Sequence, residues 1–191
     1  MNELLDYLHT IYPLSPGLRI HLQDILQLKI LNKRDYLLKT GQVNNRIYFI
    51  EKGMVRCFYV KYDKEICSWF MKEGDVIISV ESFFTQRPSL ESIQALEDCV
   101  LHSIRHDELQ FIFREFPEFN YIARLLTEKY YTLSEQRLYS LRMERAFERY
   151  NYLLNFHPEL VQRVPSTFIA SYLGITLETL SRMKTKNTSR K

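Results

Sequence analysis

Cysteine is scarce in this chain of 191 residues: Cys57, Cys67 and Cys99 stand far apart. Three scattered thiols exclude a disulfide framework and a cysteine-bound metal cluster. Glycine and proline are also few, 5 and 6, which argues against a low-complexity or disordered chain. No apolar run approaches the ~20 residues that a membrane-spanning helix needs. Met1–Pro16 carries Glu3 and Asp6 but neither the basic start nor the apolar middle of a secretion signal. A Gly-rich phosphate loop is missing as well. These absences lead us to expect a cytoplasmic protein with no membrane partner.

What is present supports a real core. Hydrophobic residues make up 46% of the chain and aromatics 14%, enough for one large domain or two small ones. The net charge is only +3, and its excess is local. From Gln162 onward the basic residues are Arg163, Arg182, Lys184, Lys186, Arg190 and Lys191, set against Glu178 alone. A cationic end of this kind gains from a duplex phosphate backbone through counterion release. Alone, it would equally describe a solvated tail.

The texture changes twice along the chain. Residues 1 to about 26 read as helical, with Leu4, Leu5, Leu8 and Ile11 on one face, a break at Pro13–Pro16, and a second helix through Ile20 and Ile25. Short runs rich in β-branched and aromatic residues follow: Tyr36–Leu38, Ile47–Ile50, Val55–Val60, Ile66–Phe70, Val76–Ile78 and Cys99–Ile104. Gly41, Gly53 and Gly74 punctuate them as turns, and the spacing suggests an antiparallel barrel or jelly roll. Leu109, Phe111, Ile112 and Phe113 then mark a short helix before Pro117. Glu118–Leu141 has no Gly or Pro and predicts one long helix, with Ile122, Leu126, Tyr130, Leu133 and Leu141 near three-to-four spacing. Such a stripe needs a partner: the barrel of the same chain, or the same helix of a second copy. A further helix spans Glu144–Phe156.

The C-terminal stretch is the most specific. After Pro165, Ser166 or Thr167 can cap a helix whose apolar face is Phe168, Ile169 and Leu173. Gly174 falls where the chain must turn, with positive φ. Thr176 can cap a second helix, with Leu180 and Met183 inward. That pattern is a helix-turn-helix, whose second helix enters the DNA major groove.

Helix, β-roll, long helix and helix-turn-helix, in that order, resemble the Crp/Fnr family of bacterial transcription regulators over nearly the whole chain. Ile47–Arg56 looks like the family's strand-turn-strand signature, and Glu73-Gly74-Asp75-Val76-Ile77 resembles its entry to the ligand pocket. Arg163–Arg182 looks like the short branch common in Bacteroidetes. The resemblance implies an α+β fold: a double-stranded β-helix (jelly-roll, cyclic-nucleotide-binding-like) domain with N-terminal helices over residues 1–117, a dimerisation helix at 118–141 and an all-α helix-turn-helix at 142–191. It implies a homodimer seam through Ile122, Leu126, Tyr130 and Leu133, double-stranded DNA as partner, and RNA polymerase as a further one. Base readout would fall to Leu177, Glu178 and Arg182, with Thr176, Thr179, Lys184 and Lys186 near phosphates. Arginine can bond bidentately to guanine, and glutamate accepts from cytosine. Leu177 replaces the arginine of the best-known members, and little chain is left for a wing.

The effector pocket departs from the family. Cyclic-nucleotide binders hold the ribose with a glutamate and the phosphate with an arginine; those places fall on Ser79 and Ser89. Glu81 and Arg87 lie two or three residues away, and Tyr130 and Tyr131 map to base-contacting positions on the long helix, where their bulk can fill the pocket. A buried phosphate without a paired cation is poorly compensated, so no tight cyclic AMP binding and no cofactor are expected. Two readings remain: a β-roll kept as a dimer scaffold, or a pocket for an unidentified small-molecule effector. His102 and His106 make a chance pair without further ligands, and the nearness of Ser103, His106 and Asp107 in sequence defines no triad. Enzyme activity has no positive support. The rival is a ligand-binding or protein-interaction module that no longer binds DNA.

Overall fold

The computed structural model describes residues 2–188, with side chains over 3–185. The chain separates into two compact units: residues up to 57 together with 70–130, and residues 58–69 together with those from 131 on.

In the first unit α1 (Asn2–Ile11) and α2 (Pro16–Ile25) precede the strands. Ser15 caps α2 by accepting the Leu18 N–H at 3.2 Å, and Pro16 takes the first helical position, where its missing N–H costs nothing. Leu4, Leu5 and Leu8 point inward as expected. In α2 the inward pair is Leu18 and Leu22, one turn apart, and Ile20 lies 59% exposed on the far side of the helix.

The strands are β1 (Gln27–Leu31), β2 (Tyr36–Leu38), β3 (Arg46–Lys52), β4 (Val55–Lys61), β5 (Lys64–Met71) and β6 (Val76–Ile77). After α3 (Val80–Thr85) come β7 (Ser92–Ala95) and β8 (Cys99–Arg105). Among the described residues they form two four-stranded sheets, ordered β1-β8-β3-β6 and β2-β7-β4-β5. β3 pairs antiparallel on both sides, Phe49 facing His102 of β8 and Val76 of β6. Gly53, at φ +97°, makes the β3–β4 turn; a Cβ there would lie 2.6 Å from both the Asp98 carbonyl and Cys99 Sγ.

Helix α4 (His106–Glu115) and the first half of α5 (Pro117–Met143) close this unit. Leu5, Leu18, Leu22, Phe49, Phe83, Ile112, Phe119 and Ile122 share one core, and Leu126 packs against it. Each fully buried side chain of this kind stabilises by about 1.5–3 kcal/mol. The apolar stripe of α5 therefore divides: Ile122 is fully buried in its own chain and cannot line a seam with a second copy. Tyr130 likewise turns inward, its hydroxyl oxygen accepting the Val76 N–H at 2.7 Å.

The second unit holds the end of the β4–β5 hairpin, the rest of α5, and α6 (Ala146–Phe156), α7 (Pro158–Arg163), α8 (Ser166–Leu173) and α9 (Leu177–Thr188). The hairpin turns at Tyr62 and Asp63, whose φ values of 51° and 58° are those of a type I′ turn. Tyr150, Leu153, Leu160, Val164, Ile169, Ala170, Leu173 and Leu180 are buried. On α5 here Leu133 is half-buried, whereas Tyr131, Leu138 and Leu141 are 67%, 44% and 45% exposed.

Candidate nucleic-acid interface and ligand cassette

The turn between α8 and α9 is built by backbone geometry. Gly174, at φ +68°, ends α8; its N–H donates to the Ser171 carbonyl, and the Ile175 N–H reaches back to the Ala170 carbonyl, both at 3.0 Å. That pair of bonds is a Schellman motif. Thr176 then caps α9, accepting the Thr179 N–H at 3.2 Å as expected. At the start of α8 the expectation fails: Pro165 occupies the cap position, and neither Ser166 nor Thr167 caps. Ser166 instead accepts from the Lys184 ammonium at 2.7 Å.

Helix α9 is anchored by Leu180, fully buried, and presents Leu177, Glu178, Ser181, Arg182 and Thr185 outward on one face. Thr176 is exposed and Thr179 half-buried, their hydroxyls 3.1 Å apart. The Thr176 hydroxyl and, less strongly, Arg182 hold the Glu178 carboxyl below its ordinary pKa, so this exposed residue is an acceptor at neutral pH. Lys184 is half-buried and tied to α8 rather than extended into solvent. The side chain of Lys186 lies outside the described residues.

Three consecutive residues at the end of α8 are fixed by three other elements, which the sequence reading missed. The Ser171 hydroxyl donates to the Glu65 carbonyl at 2.9 Å and accepts the Cys67 N–H at 3.0 Å. Arg137 of α5 stacks on the Tyr172 ring, 3.6 Å from its centroid, and donates to that residue's carbonyl. Arg149 of α6 donates to the Leu173 carbonyl from Nε and Nη2, at 3.2 and 2.8 Å. Two guanidinium groups thus satisfy the last carbonyls of α8, where a helix carries partial negative charge. Burial draws the Arg137 pKa down from its ordinary value and pushes that of the Tyr172 phenol up. Arginines four or more turns away in sequence leave no local pattern to read.

In the first unit the region expected to hold an effector is knit shut by uncharged groups. Ser79 and Ser89 are buried with their hydroxyls 2.9 Å apart. The Asn44 side chain accepts the Ser79 N–H at 2.6 Å, and the Ser82 hydroxyl accepts the Asn44 N–H at 2.9 Å. Ser89 also bonds the carbonyl and N–H of Glu91, at 2.9 and 3.1 Å. The N–H groups of Ser79, Phe83, Ser89 and Glu91 are all engaged, leaving none of them to cradle an anion. Glu81 and Arg87 are exposed, so neither is brought to the buried serines. Of the two tyrosines expected to fill the pocket, Tyr131 faces solvent and only Tyr130, half-buried, packs against β6, where desolvation and Asp75 raise its pKa. Asn44 and Ser82 are not legible in the sequence, since polar residues in a loop and a short helix carry no periodic signal.

The histidine pair has structural roles: His102 bonds Glu51 across β8 and β3, and the His106 ring packs edge-on against Phe83, centroids 5.2 Å apart. Among the described residues no group of three or more His, Cys, Asp or Glu could hold a metal ion, and no helix is long and apolar enough to cross a membrane.

Residues 28–116 match the cyclic nucleotide-binding domain family. Among curated proteins none matches the chain in sequence. Solved structures match its fold closely at low identity. FixK2 from Bradyrhizobium japonicum superposes with a TM-score of 0.72 at 19% identity, over 87% of this chain and 86% of that one. CLP, the c-di-GMP responsive global regulator of Xanthomonas campestris, gives 0.72 at 17%, over 92% and 93%. The Thermus thermophilus catabolite activator protein gives 0.57 at 19%, over 96% and 87%. The chain therefore carries a cyclic nucleotide-binding-type β-roll and long helix, and has the fold of the Crp/Fnr regulators.

Proposed function

We propose that this chain is a cytoplasmic, dimeric, DNA-binding transcription regulator of Crp/Fnr type, of the short branch, that acts without a cyclic nucleotide. It is not an enzyme. The observation that carries the reading is the outward face of α9. Leu177, Glu178 and Arg182 stand in the first turn and a half, beside a Schellman turn and over the buried anchor Leu180. A recognition helix needs this arrangement, because side chains near its N-terminus meet base edges while the turn and the preceding helix lie against the backbone. Residues 142–191 then act as the helix-turn-helix domain, 118–141 as the dimer helix and 1–117 as the β-roll.

The dimer seam runs along the exposed face of α5, through Tyr131, Ser134, Leu138 and Leu141, alternately three and four residues apart. Leu133 flanks this seam, whereas Ile122, Leu126 and Tyr130 serve their own core. The closed serine cassette favours the scaffold reading of the β-roll over a pocket for a phosphate-bearing effector. RNA polymerase is the protein partner a regulator of this fold would engage.

The test is a mobility shift with genomic fragments over a salt series. The expected result is selective binding whose affinity falls steeply with salt, as phosphate contacts release counterions. A chain that binds no duplex at low salt would instead be an interaction module.

A further inference from the structure

The three mounts at the end of α8 are not equivalent. Arg137 and Arg149 cap carbonyls, as cations do at many helix ends. Ser171 meets an edge of sheet. Among the described residues β5 is the outer strand in the order β2-β7-β4-β5, so one row of its backbone groups faces away from β4. Glu65 and Cys67 are alternate residues of β5, and their carbonyl and N–H point from the same edge. One hydroxyl answers both, at 2.9 and 3.0 Å, in the way one residue of a parallel neighbour would. The partners lie 106 and 104 residues away in sequence. Alanine removes both bonds; threonine keeps the hydroxyl.

We propose that Ser171 is a positioning residue for DNA binding: its clasp on the β4–β5 hairpin holds the α8–α9 pair in the single orientation that a two-half-site target requires. This rests on the DNA-binding reading above. A two-fold dimer must offer its recognition helices about 34–36 Å apart. Freedom in either α8–α9 pair is lost on binding both half-sites together, and a pair already clasped has less to lose. A single half-site makes no such demand, because one recognition helix can dock in any orientation its own unit allows.

The full chain, Ser171→Ala and Ser171→Thr are compared by amide hydrogen exchange at Cys67 and by affinity for two duplexes, one with both selected half-sites and one with a single half-site. Ser171→Ala should speed Cys67 exchange about tenfold, as expected for loss of a bond of ordinary strength. It should weaken the two-half-site duplex about tenfold while leaving the single half-site unchanged within about twofold. Ser171→Thr should restore both readings. Equal losses on both duplexes would reduce Ser171 to a fold-stabilising residue, and tighter binding by the alanine variant would make the clasp a restraint; either overturns the proposal, as does unchanged Cys67 exchange. Wild-type protein that binds neither duplex overturns the DNA-binding reading and this proposal with it, while protected Cys67 exchange in that same protein would show the clasp itself intact.

Discussion

The hydroxyls of Ser79 and Ser89 lie 2.9 Å apart, buried, where the cyclic-nucleotide-binding pattern would set a ribose-binding glutamate and a phosphate-binding arginine. A hydroxyl pair with its remaining bonds directed to Glu91 offers a phosphate neither charge nor a spare donor. Titration calorimetry with cyclic AMP should therefore show no binding tighter than about 1 mM, roughly −4 kcal/mol. A micromolar constant would mean that the cassette opens and that Arg87 turns inward; Arg87→Ala would then abolish it.

The division of α5 separates two classes of substitution. Tyr131→Glu with Leu138→Glu places like charges on the exposed face and should give folded monomers, measured by sedimentation against a wild-type dimer at micromolar concentration. Ile122→Glu should instead unfold the first unit, since an unpaired carboxylate at a fully buried site costs several kcal/mol. Wild-type monomers at that concentration would rule out the seam.

Arg182 and Lys184 should behave differently although both are basic residues of α9. Arg182 is exposed on the outer face, and Arg182→Ala should cost about 1–3 kcal/mol at the specific site and relax preference at one base pair per half-site. Lys184 is tied to Ser166, so Lys184→Ala should lower the thermal stability of the α8–α9 pair as well as weakening every sequence alike. If Arg182→Ala weakens specific and random duplexes equally, Arg182 holds phosphate and readout passes to Glu178 or Leu177.

Burial pushes the Cys99 thiol from 9.0 up to about 11. Between those values the unfolded chain has released the proton that the folded chain retains, so stability falls as pH rises through this window. Urea midpoints should decline from pH 9 upward, and Cys99→Ala should flatten the onset of that decline. Half-buried Tyr48, Tyr130 and Tyr172, whose pKa values are also raised, act in the same direction at higher pH and should leave the later part of the curve in place. An identical profile in the alanine variant would show that Cys99 does not titrate there.

The elements with a strong local signal are legible in the sequence. Runs such as Ile47–Ile50 and Cys99–Ile104 lie inside strands, and Gly174 and Thr176 make the turn and cap expected of them. What was hidden depends on distant partners. β7 is Ser-Ile-Gln-Ala, with no β-branched run to announce it, and α3 is too short to show a helical period. The face of α5 was misread because Ile122 and Tyr131 are equally apolar to a periodicity argument; only packing decides that one enters the core and the other faces water. The tie of Lys184, expected near phosphates, to Ser166 is hidden for the same reason, the two being 18 residues apart. The candidate interface was thus legible in outline, and its mounts on Glu65, Arg137 and Arg149 were not.

Gly53 ties two segments of the chain that are far apart in sequence. Its φ of +97° and the 2.6 Å that would separate any Cβ from the Asp98 carbonyl leave no substitution that spares the β3–β4 turn. An exposed residue such as Arg182 can be exchanged by itself, but position 53 can change only together with the loop at Asp98–Cys99. The corner and that loop are one packing unit: a side chain admitted at residue 53 would have to displace the Asp98 backbone first.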